Sequence, residues 1–530
     1  MNNTVKTGAA IGSYLQDTWS NGAGKTAVIN PVTLETVATV GGQGLDLKTA
    51  VAYARHQGRH SLAALSFAQR AALLRTMADT LQAHRDQFAL QARLNSGNTE
   101  GDVMFDIDGG IAVMKYYASV GKRLGDGKRF AEADTQPLDK DGHWVARHVL
   151  SSVPGIAVHI NAFNFPSWGL WEKVAPALLA GVPCIAKPAT AAAWVSEQMV
   201  RALSDADVLP SGSLSLLCGP ARDLLDQLDA GDTVAFTGSA ETAAKLRSHP
   251  AVLNRGVRFN AEADSLNAAV LGPDVTPESD TYALFRREIV REMTTKAGQK
   301  CTAIRRILVP AEHLDAIGAD LVQALSKTAV GDPAAEGVRM GPLQSPAQRQ
   351  AATDGLAALR TECEVLCGGD TPEKLHGADV KPDCFLAPTL LRCTNPDRAS
   401  LIHEQEVFGP VATLMPYADL AQAGRLLARG KGSLVSSLYS DDTQVFSALL
   451  DSSAGWHGRL LCVDSELGKA HGGHGVVMPQ CVHGGPGRAG GGQELGGLRG
   501  LLPYLQRTAI QGQAKRVAEL TEHDAVWPGV

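Results

Sequence analysis

The chain has 530 residues, 44% of them hydrophobic and 20% charged, with a formal net charge of -6. That is a globular composition, long enough for roughly two to four domains. Mild acidity with no basic run and no aromatic-basic stripe excludes the footprint of a nucleic-acid binder or an anionic-membrane ligand.

Residues 1–24 are polar and broken by Gly and Ser, unlike a secretory leader. No run of about 18 uncharged apolar residues reads as a membrane span, so a cytoplasmic location is expected. The nine cysteines are an odd number and read as reduced thiols. Cys363 and Cys367 lie close together, and His471, His474 and His483 share a glycine-rich tail. Neither spacing matches a zinc pattern, and no metal is expected.

In chain order, residues 46–118 have the 3.6-residue period of helices, clearest over 67–84. Residues 143–150 (HWVARHVL) alternate as a β-arm. The segment 153–161 (VPGIAVHIN) reads as a strand, 168–180 as a helix and 182–187 (VPCIAK) as a second strand. A helix over 192–206 and strands over 214–218 and 233–236 follow, with a helix starting at Ser239. A second alternation has strands at 267–271 and 304–310, helices at 282–295 and 314–327, and strands around Val365 and Val411. Both halves read as α/β with parallel sheets. Dense glycine over 455–500 reads as long loops.

Three segments carry chemistry. Gly298-Gln299-Lys300-Cys301-Thr302 puts a cysteine at an exposed turn between a helix and a strand, although most cysteines are simply small buried apolar residues. Asn161-Ala162-Phe163-Asn164-Phe165-Pro166 ends a strand. An Asn amide there donates to a developing oxyanion or merely closes a turn. Phe236-Thr237-Gly238-Ser239 is a strand, a tight turn and a helix start, whose free N–H groups suit a phosphate. No G-x-G-x-x-G follows a strand.

In order and separation these segments resemble the aldehyde dehydrogenase superfamily over essentially the whole chain. Asn164-Phe165-Pro166, Lys187-Pro188-Ala189, Phe236-Thr237-Gly238-Ser239, Gly298-Gln299-Lys300-Cys301 and Glu406-Val407-Phe408-Gly409-Pro410 each match a family motif. The resemblance implies that Cys301 is the nucleophile, Asn164 an oxyanion donor and Glu262 the general base for thioester hydrolysis. Lys173 and Glu494 match positions that relay or hold its proton, or are ordinary charges. Cofactor contacts are implied at Ala162, Phe163, Lys187, Ala189, Thr190, Gly219, Gly238, Ser239, Glu406 and Phe408.

The implied fold is α/β. A Rossmann-like cofactor domain takes 1–138 and 152–264, and a catalytic domain takes 265–464. A glycine-rich connection takes 465–489, and a small β oligomerisation arm takes 139–151 and 490–530. A homodimer is expected.

Departures from the family narrow the reading. Where NAD-preferring relatives carry a glutamate stands Thr190, so NADP is expected as the cofactor, with NAD used at lower efficiency. Glu262-Ala263-Asp264-Ser265-Leu266-Asn267 replaces the common Glu-Leu-Gly-Gly-Lys stretch. It resembles the branch holding phenylacetate ring-opening dehydrogenase domains and the CoA-semialdehyde dehydrogenases of benzoate degradation. The ring-opening proteins carry a further hydratase domain, for which a chain ending at Val530 is expected to have no room. The implied substrate is a six-carbon semialdehyde carried as a CoA thioester. Gly169 stands where many relatives have a bulky tunnel residue, and 484–497 departs from the usual tail. A broad-specificity enzyme and a CoA-acylating one are the alternatives; the base at Glu262 argues against the second.

Overall fold

The computed structural model describes residues 8–220 and 223–528. The outer ends of the expected cofactor domain and arm (1–7 and 529–530) lie outside the described residues. The first seven-stranded sheet has the order Arg258–Glu262, Thr233–Thr237, Ala157–Ile160, Cys184–Lys187, Leu214–Leu216, Ser13–Leu15, Thr18–Ser20. The first five strands are parallel and the last two antiparallel. Parallel strands are covered on both faces and so read as continuous apolar runs. Ala157, Val158, Cys184, Ile185, Ala186, Val234 and Ala235 are accordingly all buried.

The second seven-stranded sheet runs Glu364–Cys367, Thr389–Arg392, Val411–Tyr417, Arg306–Pro310, Ala268–Leu271, Ser433–Tyr439, His457–Val463. Only its first pair is antiparallel. A separate antiparallel sheet pairs Trp144–Ser152 along its whole length with Leu505–Gln513.

Helices cover the first sheet for local reasons. Ser66 and Gln69 form a reciprocal capping box at the start of Phe67–Ala83. Trp168–Ala180 begins just after Pro166 and ends on the left-handed Gly181. These two helices pack against Gly109–Leu124, and a Cβ at Gly121 would lie 2.4 Å from Leu179 Cδ1. Among the described residues no helix is long and apolar enough to cross a membrane.

Strand order places the site. From Ala157–Ile160 the chain moves outward through Cys184–Lys187 and Leu214–Leu216, then returns on the other side at Thr233–Thr237. Such a reversal opens a crevice at the carboxyl ends of the strands. Residues 161–164, 237–239 and Glu262 sit there. The amino ends of the second sheet oppose them, bringing Cys301 from before Arg306–Pro310 and Glu406 from before Val411–Tyr417.

Two expectations need correction. Residues 153–155 stay outside the strand expected from 153. Pro154 has no N–H to give a ladder, and Gly155 packs so close that a Cβ would lie 2.1 Å from Asp232 Oδ1. Nor is 455–500 all loop. His457–Val463 is an edge strand of the second sheet, and Val482–Gly484 pairs with Gln493–Leu495. A Cβ at Gly458 would meet the Gly484 carbonyl at 1.7 Å, so glycine density here reflects close backbone packing rather than slack.

Candidate active site

The turn before Cys301 is strained and over-determined. Lys296, Ala297 and Gly298 have φ of 54°, 51° and 68°, a run of left-handed residues that non-glycine side chains disfavour. Each of the two non-glycine residues costs on the order of 1–3 kcal/mol and persists only when its surroundings enforce it. Enforcement is visible on both sides of the turn. Asp102 accepts from the Lys296 N–H at 2.7 Å. Buried Arg305 donates to the carbonyls of Gly409 (2.7 Å), Gly298 (2.9 Å) and Lys300 (3.2 Å). Asn267 donates to the carbonyls of Cys301 (2.8 Å) and Ala303 (2.9 Å). A Cβ at Gly298 would lie 2.2 Å from the Gly409 oxygen, so glycine is required there.

Cys301 is half-buried where two cavities meet, rather than on the exposed turn the sequence suggests. One cavity, of about 520 Å³, is mostly apolar. Phe105, Tyr116, Phe165, Trp168 and Val477 are among its walls, with Lys115 and Lys300 the cations. Met104 and Phe105 reach it from a π-helical turn, Met104–Asp108, a distortion common at functional sites. Space is open at Gly169, where a Cβ would meet nothing within 4 Å.

The second cavity, of about 400 Å³, is lined by Ala162, Phe163, Asn164, Ala189, Gly238, Ser239, Glu262, Glu406 and Phe408 together with Cys301. Ten of the expected site residues therefore share one crevice. Lys187, Thr190 and Gly219 are not among its walls. They stand beside or beyond the neighbouring strand ends, where Gly219 packs against Gly41. Thr190 opens a 3₁₀ turn with no side-chain cap, and its hydroxyl has no hydrogen bond among the described residues.

The donors and acceptors around Cys301 are specific. Asn164 gives one N–H to the Gln299 carbonyl at 3.0 Å, leaving the second for the cavity it lines. The Cys301 N–H has no acceptor among the described residues. Burial, then the negative Glu262 beside it, pushes the Cys301 thiol well above its ordinary range. The resting side chain is thus a thiol facing a carboxylate. Burial opposes the charge on Glu262, yet His483 and then Lys173 hold that carboxyl below its usual range.

Lys173 and Glu494 belong to this centre rather than to the surface. Lys173 Nζ lies 2.7 Å from Glu172 and 3.0 Å from Glu494, all three buried. Their charges raise Lys173 despite its desolvation. Burial pushes Glu406 up to about 7, with Arg305 opposing, while the Ser265 N–H donates to it at 3.1 Å.

At the Ser239 turn the side chain caps Thr242 and Asp264 takes the Ala240 N–H at 2.9 Å, so one N–H of this helix start is already committed within the protein. Sequence reasoning missed His483, whose Nε2 lies 2.8 Å from Glu262 and whose ring packs edge-on to Trp168. Only its presence in the tail drew notice. The tail histidines do not form a cluster: His474 is a core residue bonded to Ser437 at 2.6 Å. Among the described residues, Glu262, Cys301 and His483 do bring three potential ligand atoms within 4.8 Å of one another.

A nucleophile between two cavities, beside a buried carboxylate and spare N–H donors, is what acyl chemistry requires. The aldehyde dehydrogenase family model matches residues 19–461. The chain belongs to that family. It is therefore an oxidoreductase that oxidises small-molecule aldehydes with a pyridine nucleotide. It is 49% identical over 477 residues, covering 90% of this chain and 93% of that protein, to the 3,4-dehydroadipyl-CoA semialdehyde dehydrogenase of Aromatoleum evansii. It is 42% identical over 182 residues, 34% of this chain and 52% of that protein, to Protein MaoC of Klebsiella aerogenes. The fold matches betaine aldehyde dehydrogenase of Staphylococcus aureus in complex with NAD+ with a TM-score of 0.82 and 21% identity, covering 95% of each chain.

Proposed function

We propose that this aldehyde dehydrogenase oxidises a CoA-linked semialdehyde, 3,4-dehydroadipyl-CoA semialdehyde, to the acid with NADP. The observation that carries the reading is Cys301 at the junction of an apolar cavity and a crevice lined by the motif residues. Loss of its proton to solvent turns the Cys301 thiol into the nucleophile. The thiolate adds to the aldehyde carbon, and the second Asn164 N–H and the Cys301 N–H meet the new oxyanion. The nicotinamide, when bound, accepts the hydride that this carbon loses. The thioester so formed is opened by water. Glu262 takes the water's proton, the C–S bond breaks, and Cys301 is regained with a free acid. Lys173 and Glu494 hold the charge behind Glu262.

Ala162, Phe163, Ala189, Gly238, Ser239, Glu406 and Phe408 hold the nucleotide in the second cavity, with Lys187, Thr190 and Gly219 at its adenosine end. A neutral, unpartnered hydroxyl at Thr190 accepts a 2′-phosphate that a carboxylate would repel, which favours NADP over NAD. The substrate assignment is supported by the named relative and by a walled apolar cavity suited to a six-carbon acyl chain. In the same reading the antiparallel arm, whose outer strand Leu505–Gln513 is largely exposed, joins two copies in a homodimer. Absorbance at 340 nm tests the whole reading, using the CoA-linked semialdehyde and a short aldehyde, each with NADP and NAD. Faster turnover of the CoA substrate with NADP is expected. Turnover of the short aldehyde alone, or with NAD alone, removes the substrate or cofactor assignment respectively.

A further inference from the structure

The structure assigns to His483 the work of positioning Glu262, as the donor that keeps the general base in place and ready to accept a proton. This rests on the thioester reading above and deepens it. Glu262 is the residue whose environment most needs explaining. It is buried, and one of its carboxylate oxygens lies within 4.8 Å of an oxygen of Glu172 and of Glu494. A carboxylate among carboxylates, away from water, keeps its proton and is useless as a base.

Lys173 is the cation of this group, but its close contacts go to Glu172 at 2.7 Å and Glu494 at 3.0 Å. Glu262 has no hydrogen-bond partner of good geometry among the described residues. The close nitrogen is His483 Nε2, at 2.8 Å from Oε2, approaching obliquely. His483 is itself fixed. It pairs with Glu494 across the ribbon formed by Val482–Gly484 and Gln493–Leu495, and Trp168 packs edge-on to its ring. The charged and titratable groups about the dyad are thus Glu172, Lys173, Glu494 and the neutral Cys301 thiol. A neutral imidazole carrying its proton on Nε2 suffices to favour the ionised carboxylate. With His483 gone, Glu262 faces two carboxylates with no donor of its own.

Hydrolysis can be isolated without aldehyde or nucleotide. 4-Nitrophenyl acetate transfers its acetyl group to a thiolate, releasing nitrophenolate, and water then opens the acetyl thioester. The burst reports acylation of Cys301, and the steady phase reports hydrolysis. His483→Asn shortens the side chain so that its amide no longer reaches Glu262, whereas His483→Gln places an amide N–H near the position of Nε2. Both variants keep a polar residue on the ribbon.

In His483→Asn, the acid limb of steady hydrolysis should rise by about one pH unit, so that the rate falls about tenfold at pH values below the limb and little at pH values well above it. The burst should persist, and His483→Gln should recover most of the loss. Hydrolysis and acid limb unchanged in His483→Asn would overturn the assignment, as would an equal loss in both variants. Absence of a burst in the unaltered protein would instead count against the thioester at Cys301.

Discussion

The two ends of the nucleotide crevice are built on opposite plans. At the reacting end, three left-handed residues are pinned by bonds from Asp102, Arg305 and Asn267 to the turn and its neighbours. At the adenosine end, Lys187 ends a buried strand and Thr190 follows it, with side chains that make no ion pair or cap among the described residues. The difference separates two physical tasks. Chemistry needs atoms held within fractions of an ångström, and strain is tolerated where packing enforces it. Selection between two nucleotides needs only that one unfavourable charge be present or absent.

The largest effect should come from the reacting end. Cys301→Ala is expected to remove aldehyde oxidation by on the order of 10⁶-fold, as loss of a covalent nucleophile does, while far-ultraviolet circular dichroism stays unchanged. Residual turnover within about tenfold of the parent protein would mean that another group carries the bond. Asn164→Ala should lower kcat by about 10²–10³ with a small change in KM, since its spare N–H acts in the transition state. An effect confined to KM would assign it to ground-state binding instead.

The selecting end should respond more gently and only in preference. Thr190→Glu is expected to reverse the ratio of kcat/KM for NADP over NAD, mainly through NADP, with a loss of about tenfold to 100-fold from like-charge repulsion. Equal losses with both nucleotides would break the contrast between the ends.

The smallest effect concerns Glu406, which lies between them. Its carboxyl is raised to about 7. Below that pH it is protonated and one oxygen ceases to be an acceptor; above it both oxygens accept. Nucleotide KM should therefore rise a few-fold as pH falls from 8 to 6, and the trend should vanish in Glu406→Gln. A flat profile in the parent protein would remove Glu406 from nucleotide binding.

How much of this was legible in the sequence follows the same division. Helix Trp168–Ala180 and strands such as Ala268–Leu271 show in local periodicity, because each buries residues chosen by its own repeat. Cys301 and Glu406 stand in short contiguous motifs and are readable for that reason. His483 is not, because its meaning depends on a ribbon folding back over a distance of more than 200 residues to Glu262. The glycines around it hide the strand by resembling loop, although close backbone contact is what requires them. Asp264 on the Ala240 N–H is another contact that no spacing announces. Lys173 and Glu494 look like surface charges in sequence and prove buried partners only once the Trp168–Ala180 helix is covered on all sides.

The most direct test of the account is to trap the acyl group on the protein. Glu262→Gln, mixed with NADP and the CoA-linked semialdehyde and quenched after one turnover, should carry on Cys301 a mass equal to the aldehyde less two hydrogens. That adduct, on this one of nine cysteines, is the predicted result. An unmodified Cys301 after a full turnover of NADPH, or the same mass on a different residue, would contradict it.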